Sequence, residues 1–178
     1  MNLDQINLES LKYPIGKFSV PEKIDNKERN TFINTLAEFP ERLSAVLQDL
    51  KETDLNRTYR RGSWTIKQVV HHCADSHIQS VSRFRWALTE NQPMIKAYNE
   101  NLWAQMSDYQ APIEDSIYLI KGLHARWVFM LKNMEPSDYQ KTFVHPETMR
   151  TITLESNLAL YAWHCDHHLA HIHLALGR

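Results

Sequence analysis

Apolar side chains recur along most of this chain at steps of three and four residues, which is the spacing of one face of an α-helix. The pattern predicts four long helices, over residues 26–50, 65–90, 117–134 and 154–176. Thr65 followed by Gln68 is typical of a capping box at the start of the second helix, and Thr153 predicts a cap for the fourth. Only four glycines are present, so few sharp chain reversals are expected.

The segments outside these helices predict shorter or irregular structure. Residues 1–24 hold two prolines and predict an extended arm, whereas residues 93–112 predict a loop with a short helix around residues 100–106. Pro40 is expected to kink the first long helix or to start a new one after Phe39. The segment before the last helix predicts a small hairpin. Its predicted strands are residues 141–145 and 149–153.

Together these elements predict an all-α protein built as a four-helix bundle. A chain of 178 residues fits one domain and can bury a core without disulfides. We therefore expect residues 1–178 to form a single helical-bundle domain. Side chains from facing helices can hold a metal in the core of such a bundle.

Composition excludes several classes of function. A formal net charge of −1 offers little to neutralise phosphates, so no nucleic-acid partner is expected. Charges interrupt every long apolar stretch, and the first ten residues lack the basic start and apolar core of a signal peptide, so no membrane partner is expected either. Cys73 and Cys165 are interpreted as small buried residues of a cytoplasmic protein.

Histidines are concentrated in residues 161–171 and 70–77. His164, His168 and His171 fall on one stripe of the last helix. Side chains four residues apart on a helix have Cβ atoms about 5–6 Å apart, so His164 and His168 can place two ring nitrogens on one divalent metal. His171, one turn beyond His168, could be an alternative ligand or support a ligand.

The upstream cluster can supply a third ligand, from either His71 or His72. His72 lies one turn from Ser76, whereas His71 lies one turn from Lys67 and Asp75, on a more charged side of the helix. This favours His72 slightly and leaves His71 as the alternative. Three nitrogen ligands with an open position describe a catalytic metal centre better than a structural one, which four ligands normally close.

Other interpretations of these residues stay open. The histidines could be hydrogen-bonded side chains without a metal, although an i, i+4 pair together with an upstream pair favours a shared ion. Arg83 could bind an anionic substrate group or be solvated or ion-paired. Asp75 could orient a ligand, act as a base or lie on the surface. Cys165 points about 100° away from His164 on the helix and is left out of the site.

The order and spacing of many short motifs resemble the YfiT-type metal-dependent hydrolases of the DinB-like superfamily. The resemblance runs over nearly the whole length. It rests on Tyr13-Pro-Ile-Gly16, Gly62-Ser-Trp-Thr65, Gln68-Val-Val-His-His72, Ala74-Asp-Ser-His77, Arg83-Phe84, Leu123-His124, Arg126-Trp127, His145-Pro146, Ile152-Thr-Leu-Glu155, Trp163-His164 and His167-His-Leu-Ala-His-Ile172.

This resemblance implies a bundle fold, a cytoplasmic homodimer, and metal binding by His72, His164 and His168. The hypothesis is a hydrolase whose divalent ion, zinc or else nickel, activates water against a small-molecule substrate. The alternative is a metal-dependent transferase for a low-molecular-weight thiol resembling bacillithiol. A metal-binding scaffold without activity is the third candidate. The substrate and the general base are not predicted.

Overall fold

The computed structural model describes residues 3–178, with side chains from Leu8 onward. It contains four long α-helices, three shorter ones, two 3₁₀ helices (Ser107–Gln110 and Asp138–Gln140) and a two-stranded sheet. The helices are α1 (Leu3–Lys12), α2 (Asn26–Leu47), α3 (Glu52–Leu55), α4 (Ile66–Thr89), α5 (Glu100–Trp103), α6 (Ile113–Lys132) and α7 (Leu154–Leu176), and the strands are β1 (Thr142–His145) and β2 (Arg150–Thr153).

The four long helices form a bundle, which confirms the predicted fold class. Both α2 and α4 pack against α6 and α7, so that α2 and α4 lie diagonally across the bundle from each other. Their apolar faces meet in a core that includes Leu36, Phe39, Phe84, Trp127 and Leu158, none of which is exposed to solvent. Burial of such side chains is the main favourable contribution to folding.

Local signals set the ends of the helices that matter for the site. The Thr65 side chain accepts a hydrogen bond from the Gln68 amide, and the Gln68 side chain accepts one from the Thr65 amide, so the predicted capping box starts α4. Thr153 caps α7 through the Ser156 amide. At its other end, α7 stops at Gly177, whose φ of 74° lies in the left-handed region that glycine adopts without strain.

The predicted hairpin is present, but two other expectations need correction. Strands β1 and β2 pair antiparallel, from Thr142 opposite Thr153 to His145 opposite Arg150. The predicted extended arm is wrong for Leu3–Lys12, which is helix α1; its sequence contains no proline or glycine to oppose helix formation.

Pro40 does not start a new helix either. It lies buried inside α2, which runs unbroken from Asn26 to Leu47. A proline removes one backbone hydrogen bond from a helix, and the apolar face of α2 remains packed against α6 and α7.

In the described part of the chain, no helix is both long and apolar enough to cross a membrane.

Candidate metal centre

Three histidine side chains from two helices meet inside the bundle. His72 of α4 and His168 of α7 place their Nε2 atoms 3.3 and 3.2 Å from Nε2 of His164. One nitrogen from each ring lies within 4.8 Å of the others. Ligand nitrogens about 2.0–2.1 Å from a tetrahedral ion would be about 3.3–3.4 Å apart. The observed spacing therefore fits a shared divalent ion.

The environment of these rings favours the form that binds metals. Burial lowers the pKa of His72 to about 4 and the pKa values of His164 and His168 well below the usual value. Neighbouring imidazoles act in the same direction. A histidine must be neutral to donate a lone pair to a metal, so all three rings are ready to bind an ion at neutral pH.

The cluster opens onto a cavity of about 590 Å³ between the helices and the segments that cover them. The Trp64 ring lies against His72, with centroids 4.6 Å apart. The Ser76 hydroxyl is 3.5 Å from Nε2 of His164 and 3.2 Å from the Tyr161 hydroxyl. The remaining lining residues are Lys12, Tyr13, Tyr59, Arg60, Arg83, Tyr98, Glu100, Asn101, His145, Leu160, His167 and His171.

Helical spacing alone left both His71 and His72 as candidates for the third ligand, and the structure distinguishes them. His71 is directed away from the cluster, with Nδ1 at 2.7 Å from Oγ of Ser116 and Nε2 at 3.1 Å from the carbonyl oxygen of Ala111. Both of its ring nitrogens are therefore occupied. His72 is the member of the pair that faces His164 and His168.

Behind His164 lies a row of buried histidines. Nδ1 of His164 is 3.1 Å from Nε2 of His77, and Nδ1 of His77 is 2.7 Å from Nε2 of His124. The row ends where Nδ1 of His124 lies 2.6 Å from the carbonyl oxygen of Leu36. His77 and His124 are 0% and 1% exposed, so water does not interrupt these contacts.

A shorter row lies behind His168. Its Nδ1 atom is 3.5 Å from Nδ1 of His171, and Nε2 of His171 is 3.1 Å from the carbonyl oxygen of Lys12. The Tyr59 ring stacks on His171 with centroids 3.8 Å apart. Of the two roles considered for His171, this geometry favours support of a ligand. His72 differs, because its Nδ1 is buried and has no hydrogen-bond partner among the described residues.

The other candidate residues take different places. Arg83 lines the cavity, and its buried Nε atom has no hydrogen-bond partner in the part of the chain that the structure describes. Asp75 does not line the cavity; it accepts a hydrogen bond of 2.6 Å from the Tyr109 hydroxyl. Cys73 and Cys165 are free, buried thiols, and burial raises the pKa of both.

Sequence reasoning assigned no role to His77 or His124. His77 lies five residues after His72, about 140° around the helix, so helical spacing gave no reason to group them. His124 belongs to α6 and meets His77 only through the packing of α6 against α4. Two signals were available: His77 lies in the upstream histidine cluster, and both residues belong to the motifs of the resemblance.

Comparison with known proteins identifies the family. A model of the DinB superfamily matches residues 35–172, well over half of the chain. The chain belongs to the DinB superfamily. The resemblance stated from the motifs is therefore confirmed.

Similar proteins cover nearly the whole chain. A relative from Halalkalibacterium halodurans, named as a candidate metal-dependent hydrolase, is 41% identical over 94% of this chain and 97% of its own length. A relative of the same description from Oceanobacillus iheyensis is 45% identical over 90% of this chain and 93% of its own length.

A solved structure supports the fold directly. YfiT from Bacillus subtilis is described as a probable metal-dependent hydrolase with an unusual four-helix bundle topology. It matches this chain with a TM-score of 0.89 and 40% identity, over 92% of this chain and 94% of YfiT. By homology, this DinB-superfamily chain groups with proteins named as metal-dependent hydrolases, and its histidine cluster is suited to bind a metal.

Proposed function

We propose that this protein is a metal-dependent hydrolase whose divalent ion is held by His72, His164 and His168. The observation that carries the proposal is the convergence of three neutral imidazole nitrogens, within 4.8 Å of one another, on the wall of a cavity large enough for a small molecule. Zinc is the ion that we propose, with nickel as the alternative, because imidazole ligands suit both.

The chemistry at this site follows from the ion and from the residues around it. When bound, a divalent ion supplies Lewis acidity and lowers the pKa of a coordinated water molecule to about 7. The three histidines hold their rings at the back of the cavity, and Trp64 shields His72 on one side. The Ser76 and Tyr161 hydroxyls lie beside His164 and can hydrogen-bond to a polar group of the substrate.

The charge of the cavity favours a substrate with an anionic group. Lys12, Arg60 and Arg83 contribute cations, and Glu100 is the single carboxylate among the described lining residues. None of the ion pairs in the described part of the chain includes Arg83. A guanidinium group without a carboxylate partner is well suited to bind a carboxylate or phosphate.

The test is a hydrolysis screen with the zinc-loaded and the chelator-treated protein. The panel contains esters, amides and phosphoesters, each as an uncharged compound and a carboxylate-bearing analogue, with and without added low-molecular-weight thiols. We expect zinc-dependent hydrolysis in the absence of thiol. Turnover that requires a thiol would instead support the transferase, and no turnover in any arm would favour a metal-binding scaffold.

The homodimer implied by the resemblance stays a prediction. Light scattering coupled to size-exclusion chromatography, performed with and without zinc, measures the mass of the particle in solution. A mass of two chains is the expected result.

A further inference from the structure

Pro40 leaves a backbone carbonyl of α2 without its usual donor. In an α-helix the amide of each residue donates to the carbonyl four residues earlier, and proline has no amide hydrogen. The carbonyl of Leu36 therefore lacks the helical hydrogen bond from position 40. His124 of α6 occupies this vacant acceptor, with Nδ1 2.6 Å from the Leu36 oxygen.

This carbonyl dictates where the protons lie along the first row of histidines. A carbonyl oxygen only accepts, so His124 must donate from Nδ1, and the Nε2 atom of the neutral ring must accept. His77 then donates from Nδ1 to His124 and accepts at Nε2. Consequently His164 donates from Nδ1 to His77 and keeps an unprotonated Nε2, which is the atom that faces the cluster.

In the second row, a carbonyl oxygen of α1 sets the direction of the hydrogen bonds in the same way. Lys12 is the last residue of α1, and the last carbonyls of a helix have no donor within it. The Lys12 carbonyl accepts from Nε2 of His171, which leaves Nδ1 of His171 as the acceptor for Nδ1 of His168. His168 thus also presents an unprotonated Nε2 to the cluster.

We propose that His77, His124 and His171 are positioning residues that fix the tautomers of His164 and His168. The carbonyls of Leu36 and Lys12, which have no donor within their own helices, determine which nitrogen of each histidine in the two rows donates and which accepts. Each ring is held with its lone pair directed toward the shared centre before an ion arrives. Among the described residues, His72 has no such row behind its Nδ1 atom. Burial lowers the pKa of His124 to about 4, so this ring is neutral at neutral pH.

Nitrogen NMR on the chelator-treated, ¹⁵N-labelled protein tests the tautomers without a metal. We expect His164 and His168 to carry their proton on Nδ1, with unprotonated Nε2. In the Pro40→Ala variant, an amide hydrogen competes for the Leu36 carbonyl, and the Nδ1–H population of His164 should fall while that of His168 stays unchanged. Protonated Nε2 at both His164 and His168 in the unmodified protein would overturn the proposal.

Zinc affinity, measured by competition with a chelating dye, supplies a second readout. His77→Leu and His171→Leu remove an acceptor, and a loss of about 10- to 100-fold in affinity is expected from the removal of such support. His77→Gln places an amide oxygen near the former Nε2, and His171→Asn places one near the former Nδ1, so both should recover much of the loss. His71→Gln, beside His72 but outside both rows, is the matched control and should bind zinc normally.

The affinity readout rests on the proposed function, whereas the tautomer readout does not. If the tautomers are as expected but neither the unmodified protein nor any variant binds zinc, the proposed function fails and the inference stands. If zinc binds and the leucine variants bind it as tightly as the control does, the positioning role is wrong. His77 is fully buried, so His77→Leu can fail to fold. The His171 variants and the tautomers of the unmodified protein then still decide the test.

Discussion

The Nε2 atom of His77 lies 3.1 Å from Nδ1 of His164, although the two residues belong to different helices and are both buried. This contact occupies the ring nitrogen of His164 that faces away from His72 and His168. Metal-binding histidines generally hydrogen-bond through their second nitrogen, which fixes the ring. The contact thus joins the candidate metal centre to the core of the bundle.

Replacement of His164 should remove the bound metal. Its Nε2 is the nitrogen closest to both partners, so His164→Ala leaves His72 and His168 without the atom that lies between them. We expect zinc stoichiometry, measured by elemental analysis after dialysis, to fall from about one per chain to nearly none. His173→Ala, on the same helix but not among the cavity-lining residues, is the control. Full stoichiometry in His164→Ala would contradict the site.

His124 should make the metal-free protein less stable in acid. Burial lowers the pKa of the folded-state ring to about 4 from the usual 6.5, so between these values the unfolded chain binds more protons than the folded one. The neutral His124 ring makes its full contribution to the free energy of unfolding above about pH 6.5. This contribution is lost progressively as the pH falls toward 4, by an amount on the order of 3 kcal/mol.

Urea unfolding of the metal-free protein at a series of pH values measures this effect. His124→Leu should show a smaller loss of stability between pH 6.5 and 4 than the unmodified protein, whatever its stability at pH 7. Equal slopes for the two proteins would mean that His124 is not a neutral buried ring in the folded state.

Arg83 should contribute to the binding of anions. Succinate, and the uncharged succinamide of similar shape, can be titrated into the protein by calorimetry. We expect Arg83→Gln to weaken succinate binding about tenfold, because a charge-assisted hydrogen bond is lost. Arg85→Gln, an exposed position on the same helix, is the matched control. If both variants bind succinate equally, Arg83 does not form the anion site.

The cap of α4 should matter for stability. Thr65→Ala removes the side chain that accepts from the Gln68 amide, and the expected loss is about 1 kcal/mol in the free energy of unfolding. Thr31→Ala, at an exposed position inside α2, should be nearly neutral. Chemical denaturation of both variants measures the difference. An unchanged midpoint for Thr65→Ala would show that α4 starts without help from its cap.

The four long helices, the N-terminal caps of the second and the fourth, the hairpin and the closeness of His164 to His168 could all be predicted from the sequence. These features depend on residues close together in the chain, where apolar spacing and capping chemistry act locally. The helix at Leu3–Lys12 is an exception, because Pro14 and Pro21 predict irregular structure for the whole segment although the prolines lie after this helix.

The contacts between side chains across the bundle could be known only from the packed fold. The packing of α4 against α6 and α7 brings His77 to His124 and His164, and the position of α1 brings the Lys12 carbonyl to His171. Such contacts depend on the rotation and register of whole helices, which burial of the entire core sets. A periodic pattern within one helix carries no information about the residue it will face on another.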